Sequence, residues 1–318
     1  MTTSRHFHGI YASTVCPFRA DATIDEDALA RHLGSVLAES GMRGLLVNGH
    51  AGENAVLNHA EQRRVLEVAR HIAAGRLIVA GINHESSEAA AALARDAAEA
   101  GADAVMVFTP FSWALGADPR VIVQHHERVH EATSLPLFLF QGSVNAGRTA
   151  FTPDVLRALL RLPRIVGIKE GSWETAAYDA VRRLTKSVRP DVAVMASGDE
   201  HLFTCFVLGS EGSLVSLAAI IPDLIVALDR AVAAGDLTAG RALHERIYPL
   251  AKAIYGTPLG SLATARIKAC LNLLGRLERA TCRGPVGDLP AEEYTRLEGA
   301  LAAAGLSGGT PALSRKTA

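Results

Sequence analysis

The sequence predicts one large α/β domain, a closed (β/α)8 or TIM barrel, followed by a C-terminal helical appendage. Three observations predict this fold. The 318 residues are 49% hydrophobic and 20% charged, a balance that can bury a large core. Short apolar runs alternate regularly with longer segments of helical periodicity. After Pro222 the apolar runs stop, and only helical segments follow.

The apolar runs have the length and composition of buried strands. Continuous apolar strands separated by helices indicate a parallel sheet with helices on its outer face. Eight such units favour a closed barrel, because an open doubly wound sheet usually has fewer strands and a phosphate-binding glycine fingerprint after the first. The runs cover 9–14, 44–49, 76–82, 103–110, 135–141, 164–170, 191–197 and 212–218.

The segments between the runs have the start and stop signals of helices. The clearest examples, 25–40, 61–75, 86–101 and 153–162, open on a capping residue or proline, and several end at glycine. We therefore expect the barrel over 1–220 and the C-terminal helices over 221–306. The Gly/Ser/Pro-rich end, 307–318, is expected to be a flexible tail.

Composition also predicts the kind of ligand and the cellular location of the protein. The formal net charge is −1, which does not favour a nucleic-acid or acidic-lipid surface, so a small-molecule ligand is expected. The four cysteines have no paired spacing and are expected to be reduced. The opening "MTTSRHFHGI" lacks the apolar region of a signal peptide, and no apolar run is long enough to span a bilayer. We expect a cytoplasmic location.

Lys169 is the first candidate for chemistry. It ends the sixth apolar run, and reacting groups in a barrel come from the strand C-termini and the loops after them. An apolar barrel mouth would lower the pKa of the lysine and leave a neutral amine able to form a Schiff base with a carbonyl. The alternative is a strand-end lysine that pairs with Glu170 or extends its ammonium to water.

Several motifs at strand ends together resemble the dihydrodipicolinate synthase and N-acetylneuraminate lyase family. They occur in order as "NGHAGENAVLNHAE", "VFTPFSW", "IVGIKEGS", "MASGDEHLF" and "LGSEGSLVS", within a resemblance that runs from about Gly9 to Gly305. The resemblance implies a class I lyase acting on 2-oxo acids, with Lys169 as its Schiff-base lysine. It also implies a homotetramer or homodimer, and no metal or organic cofactor.

The sequence departs from the family pattern at the positions that relay protons. Phe140 and Gln141 stand where the family usually carries a Tyr-Asn pair, and His50 and Ala51 stand where two hydroxyl residues are usual. The fourth-strand end also lacks the tyrosine that dihydrodipicolinate synthases have near Ser112. Dihydrodipicolinate synthesis itself is therefore not expected.

His50 occupies the position at which an acid or base is needed. An imidazole has an unperturbed pKa near 6.5, so either protonation state is accessible at neutral pH. The alternative is that His50 only shapes the pocket. The backbone N–H groups of 49–53 can receive a substrate carboxylate, and Glu53 is expected to hold this loop rather than to react.

The remaining expected contacts describe a pocket with an aromatic wall. Phe111, Trp113 and Phe140 suit an aryl or otherwise apolar aldehyde better than a polyhydroxylated sugar acid. Arg148 resembles a family arginine that binds a carboxylate at the pocket entrance, although it is also consistent with a solvated loop charge. The expected substrate-binding residues are Gly49, Ala51, Gly52, Phe111, Phe140, Gln141, Arg148 and Leu214.

A second motif, "HERVH", matches the H-E-x-x-H pattern of zinc peptidases. His126 and His130 would share one face of a helix, but that helix is expected on the outside of the barrel and no third ligand is evident. No metal site is expected.

The sequence thus favours a Schiff-base lyase or aldolase in which Lys169 binds pyruvate or another 2-oxo acid. One alternative is a 2-keto-3-deoxy acid dehydratase or hydratase-aldolase that uses the same lysine. Another is a barrel that binds 2-oxo acids without turning them over.

Overall fold

A computed structural model describes residues 7–306 and contains the predicted closed barrel. Eight parallel strands pair in sequence order, and β8 pairs with β1 to close the sheet. The predicted fold class is therefore confirmed. The strands are β1 (Gly9–Ser13), β2 (Met42–Val47), β3 (Leu77–Ile82), β4 (Ala104–Val107), β5 (Leu137–Gln141), β6 (Ile165–Glu170), β7 (Ala193–Ala196) and β8 (Gly212–Val215).

Helices follow the strands and form the outer layer. Their starts agree with the capping signals in the sequence: the side chain of Asn58 accepts from the N–H of Glu61 in a capping box, and Ser86 and Thr152 cap the helices that follow them. The helices are α1 (Glu26–Leu37), α2 (His59–Ile72), α3 (Ser87–Glu99), α4 (Pro119–Ala132), α5 (Pro153–Leu159), α6 (Thr175–Val188), α7 (Leu202–Val207), α8 (Pro222–Ala233), α9 (Leu237–Ile254), α10 (Ala263–Leu273) and α11 (Ala291–Ala303).

Side-chain alternation along the strands separates two cores. One set of side chains fills the barrel interior, and the other packs between the strands and the helices. On β5, Phe138 points inward and Leu139 outward, so Phe140 at the C-terminal end points inward again. The same alternation turns Lys169 of β6 toward the barrel mouth and Glu170 away from it.

The C-terminal helices pack on the barrel and reach its mouth. Helix α8 packs on β1 and α7, α9 packs on α8 and α11, and α10 packs on the turn at His50–Gly52. The division expected at residue 220 falls between β8 and helix α8. The tail expected over 307–318 lies outside the described residues. Within residues 7–306, no helix is long and apolar enough to cross a membrane.

Candidate active site

A cavity of about 950 Å³ opens at the C-terminal end of the barrel, where barrel enzymes carry their active sites. Its wall has two halves. Side chains at the ends of β2, β4 and β5 make one half aromatic, and side chains at the ends of β6, β7, β8 and β1 make the other half polar. The aromatic half includes His50, Phe111 and Phe140, and the polar half includes Ser13, Lys169, Ser197 and Ser216.

Lys169 lies at the boundary between the two halves. Its side chain is buried, at 9% relative exposure, and its Nζ lies 3.3 Å from Ser13 Oγ and 5.8 Å from the ring centres of Phe108 and Phe140. Burial lowers the pKa of Lys169 to about 8. A substantial fraction of the amine is therefore neutral near physiological pH, and a neutral amine is nucleophilic.

Asp199 is a buried carboxyl close enough to act on Lys169 through its charge. Its Oδ1 accepts a hydrogen bond from the backbone N–H of Leu217 at 3.1 Å. Burial raises the pKa of Asp199 to about 7, against the opposing effects of that N–H and of the lysine charge. In return, the Asp199 charge partly offsets the lowering of the pKa of Lys169.

His50 lies within the aromatic half. Its ring centre is 4.3 Å from that of Phe108, 5.4 Å from Phe111 and 5.6 Å from Phe140, and its Nε2 lies 3.2 Å from Asn83 Nδ2. The side chain is exposed to the open cavity, and these rings lie close around the imidazole. Desolvation by the surrounding protein, together with the charge of Lys169, lowers the pKa of His50 to about 4. The imidazole is consequently neutral at pH 7.

The loop that carries His50 is held by the C-terminal helices. Glu53 adopts a left-handed conformation, with φ of 57°, and forms a close ion pair with Lys268 of α10. Its other oxygen accepts from the N–H of Arg283 at 2.9 Å. These contacts agree with a structural role for Glu53. The N–H groups of Gly52 and Glu53, expected to bind a carboxylate, instead donate to the carbonyls of Gly49 and His50 within the turn.

The structure brings most, but not all, of the predicted site residues together. Lys169, His50, Ala51, Phe111, Phe140 and Leu214 line the cavity. Gly49 and Gly52 shape the turn beneath His50.

Gln141 and Arg148 are not among the residues that line this cavity. Gln141 points out of the barrel, and its Oε1 accepts from the N–H of Phe151 at 3.3 Å. Arg148 lines a separate depression beside Leu115 and Pro119.

Sequence reasoning missed several polar residues of the cavity, including Ser13, Asp199, Ser216 and Tyr255. Ser13, Asp199 and Ser216 lie at or just after strand ends, so the barrel rule combined with side-chain alternation could have identified them. Tyr255 follows helix α9, and no strand-based signal points to it. Its hydroxyl contacts Ser216 Oγ, and its ring centre lies 4.9 Å from that of Trp173.

Trp173, in the loop after β6, has a left-handed backbone conformation with φ of 63°. For a bulky residue this conformation costs on the order of 1–3 kcal/mol, and such strain concentrates at functional sites. Here it accompanies the packing of the indole against Tyr255 in the cavity wall.

The histidines of the H-E-x-x-H segment lie on α4, away from the cavity. His126 is fully buried, and its Nδ1 lies 2.8 Å from the carbonyl oxygen of Ile122. Among the described residues, no group of three or more His, Cys, Asp or Glu side chains is placed to hold a metal ion.

The structure is thus a closed (β/α)8 barrel with a buried lysine of lowered pKa at the C-terminal end of β6, in the cavity where barrel enzymes carry their active sites. The chain belongs to the Dihydrodipicolinate synthetase family, whose sequence model matches residues 6–304. This match confirms the resemblance found in the sequence. Members of the family are lyases and aldolases.

Two curated relatives illustrate the range within the family. The chain is 30% identical over 249 residues to a 4-hydroxy-tetrahydrodipicolinate synthase of Methanothrix thermoacetophila, covering 78% of this chain and 82% of that protein. It is 28% identical over 305 residues to a probable 2-dehydro-3-deoxy-D-pentonate aldolase of Escherichia coli K12, covering 95% and 99%.

Solved structures share the fold closely. Dihydrodipicolinate synthase from Thermotoga maritima superposes with a TM-score of 0.85 at 26% identity and covers 94% of this chain and 99% of that one. A prophage protein of the same family from Escherichia coli K12, solved in complex with pyruvate, gives a TM-score of 0.87 at 24% identity, with the same coverage.

Proposed function

We propose that this protein is a Schiff-base lyase or aldolase in which Lys169 condenses with the ketone of pyruvate or another 2-oxo acid. The observation that carries the proposal is the burial of Lys169 in the cavity, which lowers its pKa to about 8. An exposed lysine has a pKa of about 10.4 and is almost fully protonated at neutral pH. Relatives with an aldolase name and with bound pyruvate agree with this choice of chemistry.

The proposed reaction uses the imine as an electron sink. The neutral amine attacks the C2 carbonyl carbon, and loss of water leaves a protonated imine on Lys169. The positive nitrogen then accepts the electron pair released when a C–H or C–C bond at the neighbouring carbon breaks. Addition, cleavage and dehydration can all proceed through the resulting enamine.

The aromatic half of the cavity supports an apolar or aryl group in the second part of the substrate. Phe111 and Phe140 line the cavity together with His50, and Phe108 packs against His50. Phe140 pairs in register with Lys169 on the neighbouring strand, so a ring without a hydroxyl group stands beside the reacting nitrogen. We therefore propose a substrate other than that of a true dihydrodipicolinate synthase.

We assign to His50 the transfer of a proton at the methyl carbon of the pyruvate imine. The ring is neutral at pH 7, and its Nε2 accepts a hydrogen bond from Asn83 Nδ2 at 3.2 Å, so this nitrogen has to leave the Asn83 amide in order to take up a proton. Its location on the signature loop, next to Phe140, puts it in the same cavity as the Lys169 amine.

Borohydride reduction in the presence of pyruvate, followed by intact mass and peptide mapping, tests the proposed function. Wild type should acquire one stable adduct at Lys169, and Lys169→Ala should acquire none. Lys252→Ala, which removes an exposed lysine, is the control and should be labelled like wild type. The labelling rate should rise with pH and level off above about pH 8, because deprotonation generates the nucleophile. A wild-type protein that stays unmodified with pyruvate and several longer 2-oxo acids would refute the proposal.

A further inference from the structure

Tyr255 comes from outside the barrel strands, yet its hydroxyl reaches the polar half of the cavity. The residue directly follows helix α9, and its side chain lies between Trp173 on one side and Ser216 on the other. The tyrosine hydroxyl contacts Ser216 Oγ. Both Tyr255 and Ser216 line the same cavity as Lys169.

Strand register links Tyr255 to the reacting lysine. In the parallel pair of β1 and β8, Ala12 lies opposite Val215. Ser13 is the next residue of β1 and Ser216 the first residue after β8, and both line the cavity. Ser13 Oγ lies 3.3 Å from Lys169 Nζ. Two contacts, Lys169 with Ser13 and Ser216 with Tyr255, therefore lie on the polar half of the cavity, at the ends of adjacent strands.

Imine formation at Lys169 needs an acid on this side of the cavity. The carbinolamine loses its hydroxyl group as water, and that oxygen must gain a proton as the C–O bond breaks. Phe140, the residue of β5 that pairs with Lys169, has no proton to give. His50 stands among aromatic rings on the other half of the cavity. Asp199 also lines the cavity and, with a pKa of about 7, is the competing proton donor, but its Oδ1 is held by the N–H of Leu217.

We propose that the Tyr255 hydroxyl is the catalytic acid that protonates the departing carbinolamine oxygen. The nitrogen lone pair of Lys169 forms the C=N bond as the C–O bond breaks, and the oxygen leaves as water with the tyrosine proton. The tyrosine oxygen recovers a proton from solvent through the Ser216 hydroxyl. One proton is taken up overall, and it balances the positive charge of the iminium ion.

The surroundings keep the tyrosine protonated until it reacts. Burial, together with the charge of Asp199, raises the pKa of Tyr255 well above that of a free phenol. The phenol therefore stays protonated at every pH at which the protein is expected to work. The same burial makes it a weak acid, so the positive charge of the iminium ion at Lys169 has to stabilise the phenolate that forms. Trp173 packs on the ring and limits its movement, so the hydroxyl stays next to Ser216.

This inference rests on the proposed function, and rapid mixing with pyruvate alone tests it. Protein and pyruvate are mixed, quenched with borohydride after set times, and analysed by intact mass. Tyr255→Phe keeps the ring against Trp173 and removes one oxygen, and its rate of adduct formation should fall by about 10²- to 10⁴-fold. The final labelling of Lys169 should be unchanged. Tyr248→Phe, a half-exposed tyrosine on the same helix, should label at the wild-type rate.

A second measurement separates acid catalysis from a loss of packing. Methylamine forms an imine with pyruvate with the help of solvent and buffer acids alone, so its reaction in the same buffer provides the pH dependence without a tyrosine. Tyr255→Phe should acquire that steeper dependence on proton concentration, whereas a packing defect would slow labelling equally at every pH. Tyr255→Phe labelling at the wild-type rate overturns the inference and leaves the proposed function intact. Failure to label wild type at all overturns both.

Discussion

His50 illustrates how a residue's neighbours decide its chemistry. Considered alone, an imidazole would titrate between about pH 5 and 8. In the cavity, the surrounding rings and the Lys169 charge lower the pKa of His50 to about 4, so the neutral form prevails at pH 7. The residue is thus not a charged ligand for a substrate carboxylate, and the low pKa makes its imidazole a weaker base than that of a solvent-exposed histidine.

The His50 assignment predicts a separation between binding and proton transfer. His50→Ala should still form the borohydride-trapped adduct at Lys169, but it should exchange the methyl protons of pyruvate with solvent about 10²- to 10⁴-fold more slowly. Exchange is followed by proton NMR in deuterated buffer. Phe111→Leu, which changes the wall beside His50 without removing a titratable group, should exchange within a few-fold of wild type. Equal exchange rates in His50→Ala and wild type would leave the histidine as a wall residue only.

At the scale of elements, helix α10 fixes the loop that follows β2. Lys268 is fully buried, and its ammonium pairs with Glu53 and donates to the carbonyl of Thr281 at 2.8 Å. The ion pair joins the C-terminal helices to the loop that presents His50. The appendage is therefore part of the active-site scaffold, since the loop conformation depends on it.

Breaking the ion pair between Lys268 and Glu53 should destabilise the folded protein. Lys268→Met keeps much of the side-chain volume but leaves the Glu53 carboxylate without its buried cation, and we expect a loss of about 3–5 kcal/mol in the free energy of unfolding. Urea unfolding followed by circular dichroism measures it. Arg157→Met, which breaks an exposed pair with Asp154, is the control and should cost about 0–1 kcal/mol. Similar losses for the two variants would show that the buried pair does not stabilise the fold.

At the scale of the whole molecule, buried neutral histidines make the free energy of unfolding depend on pH. His32, on α1, and His126, on α4, are buried, and their Nε2 atoms have no hydrogen-bond partner among the described residues. Burial lowers the pKa of each to about 4. An unfolded chain has histidines with a pKa near 6.5, so it binds protons before the folded protein does.

The sign of this linkage predicts acid sensitivity. The stabilising contribution of the two histidines is complete above about pH 6.5 and is lost as the pH falls toward 4, at about 3 kcal/mol for each residue. Urea unfolding between pH 4 and 7.5 measures the slope. His126→Gln should reduce the slope, while His71→Gln, at an exposed position of α2, should not. A wild-type stability that stays constant over this range would contradict the prediction.

The sequence by itself determined the barrel, most of its elements and the lysine at its mouth. Hydrophobic periodicity and helix caps are local signals, and they set the order of strands and helices regardless of the rest of the chain. The strand-end rule for barrels then selected Lys169, and the signature loop selected His50, because both lie on or beside strands whose position the pattern already fixes.

Only the tertiary structure decided which side chains share the cavity and what their protonation states are. Gln141 follows Phe140 by one residue and so points to the opposite face of β5, while Arg148 lies in a different depression. Tyr255 lies 86 positions from Lys169 along the chain, beyond the last strand, and reaches the wall only because α9 packs back on the barrel. The pKa shifts of Lys169 and Asp199 arise from burial, and burial depends on contacts between segments that are distant in sequence.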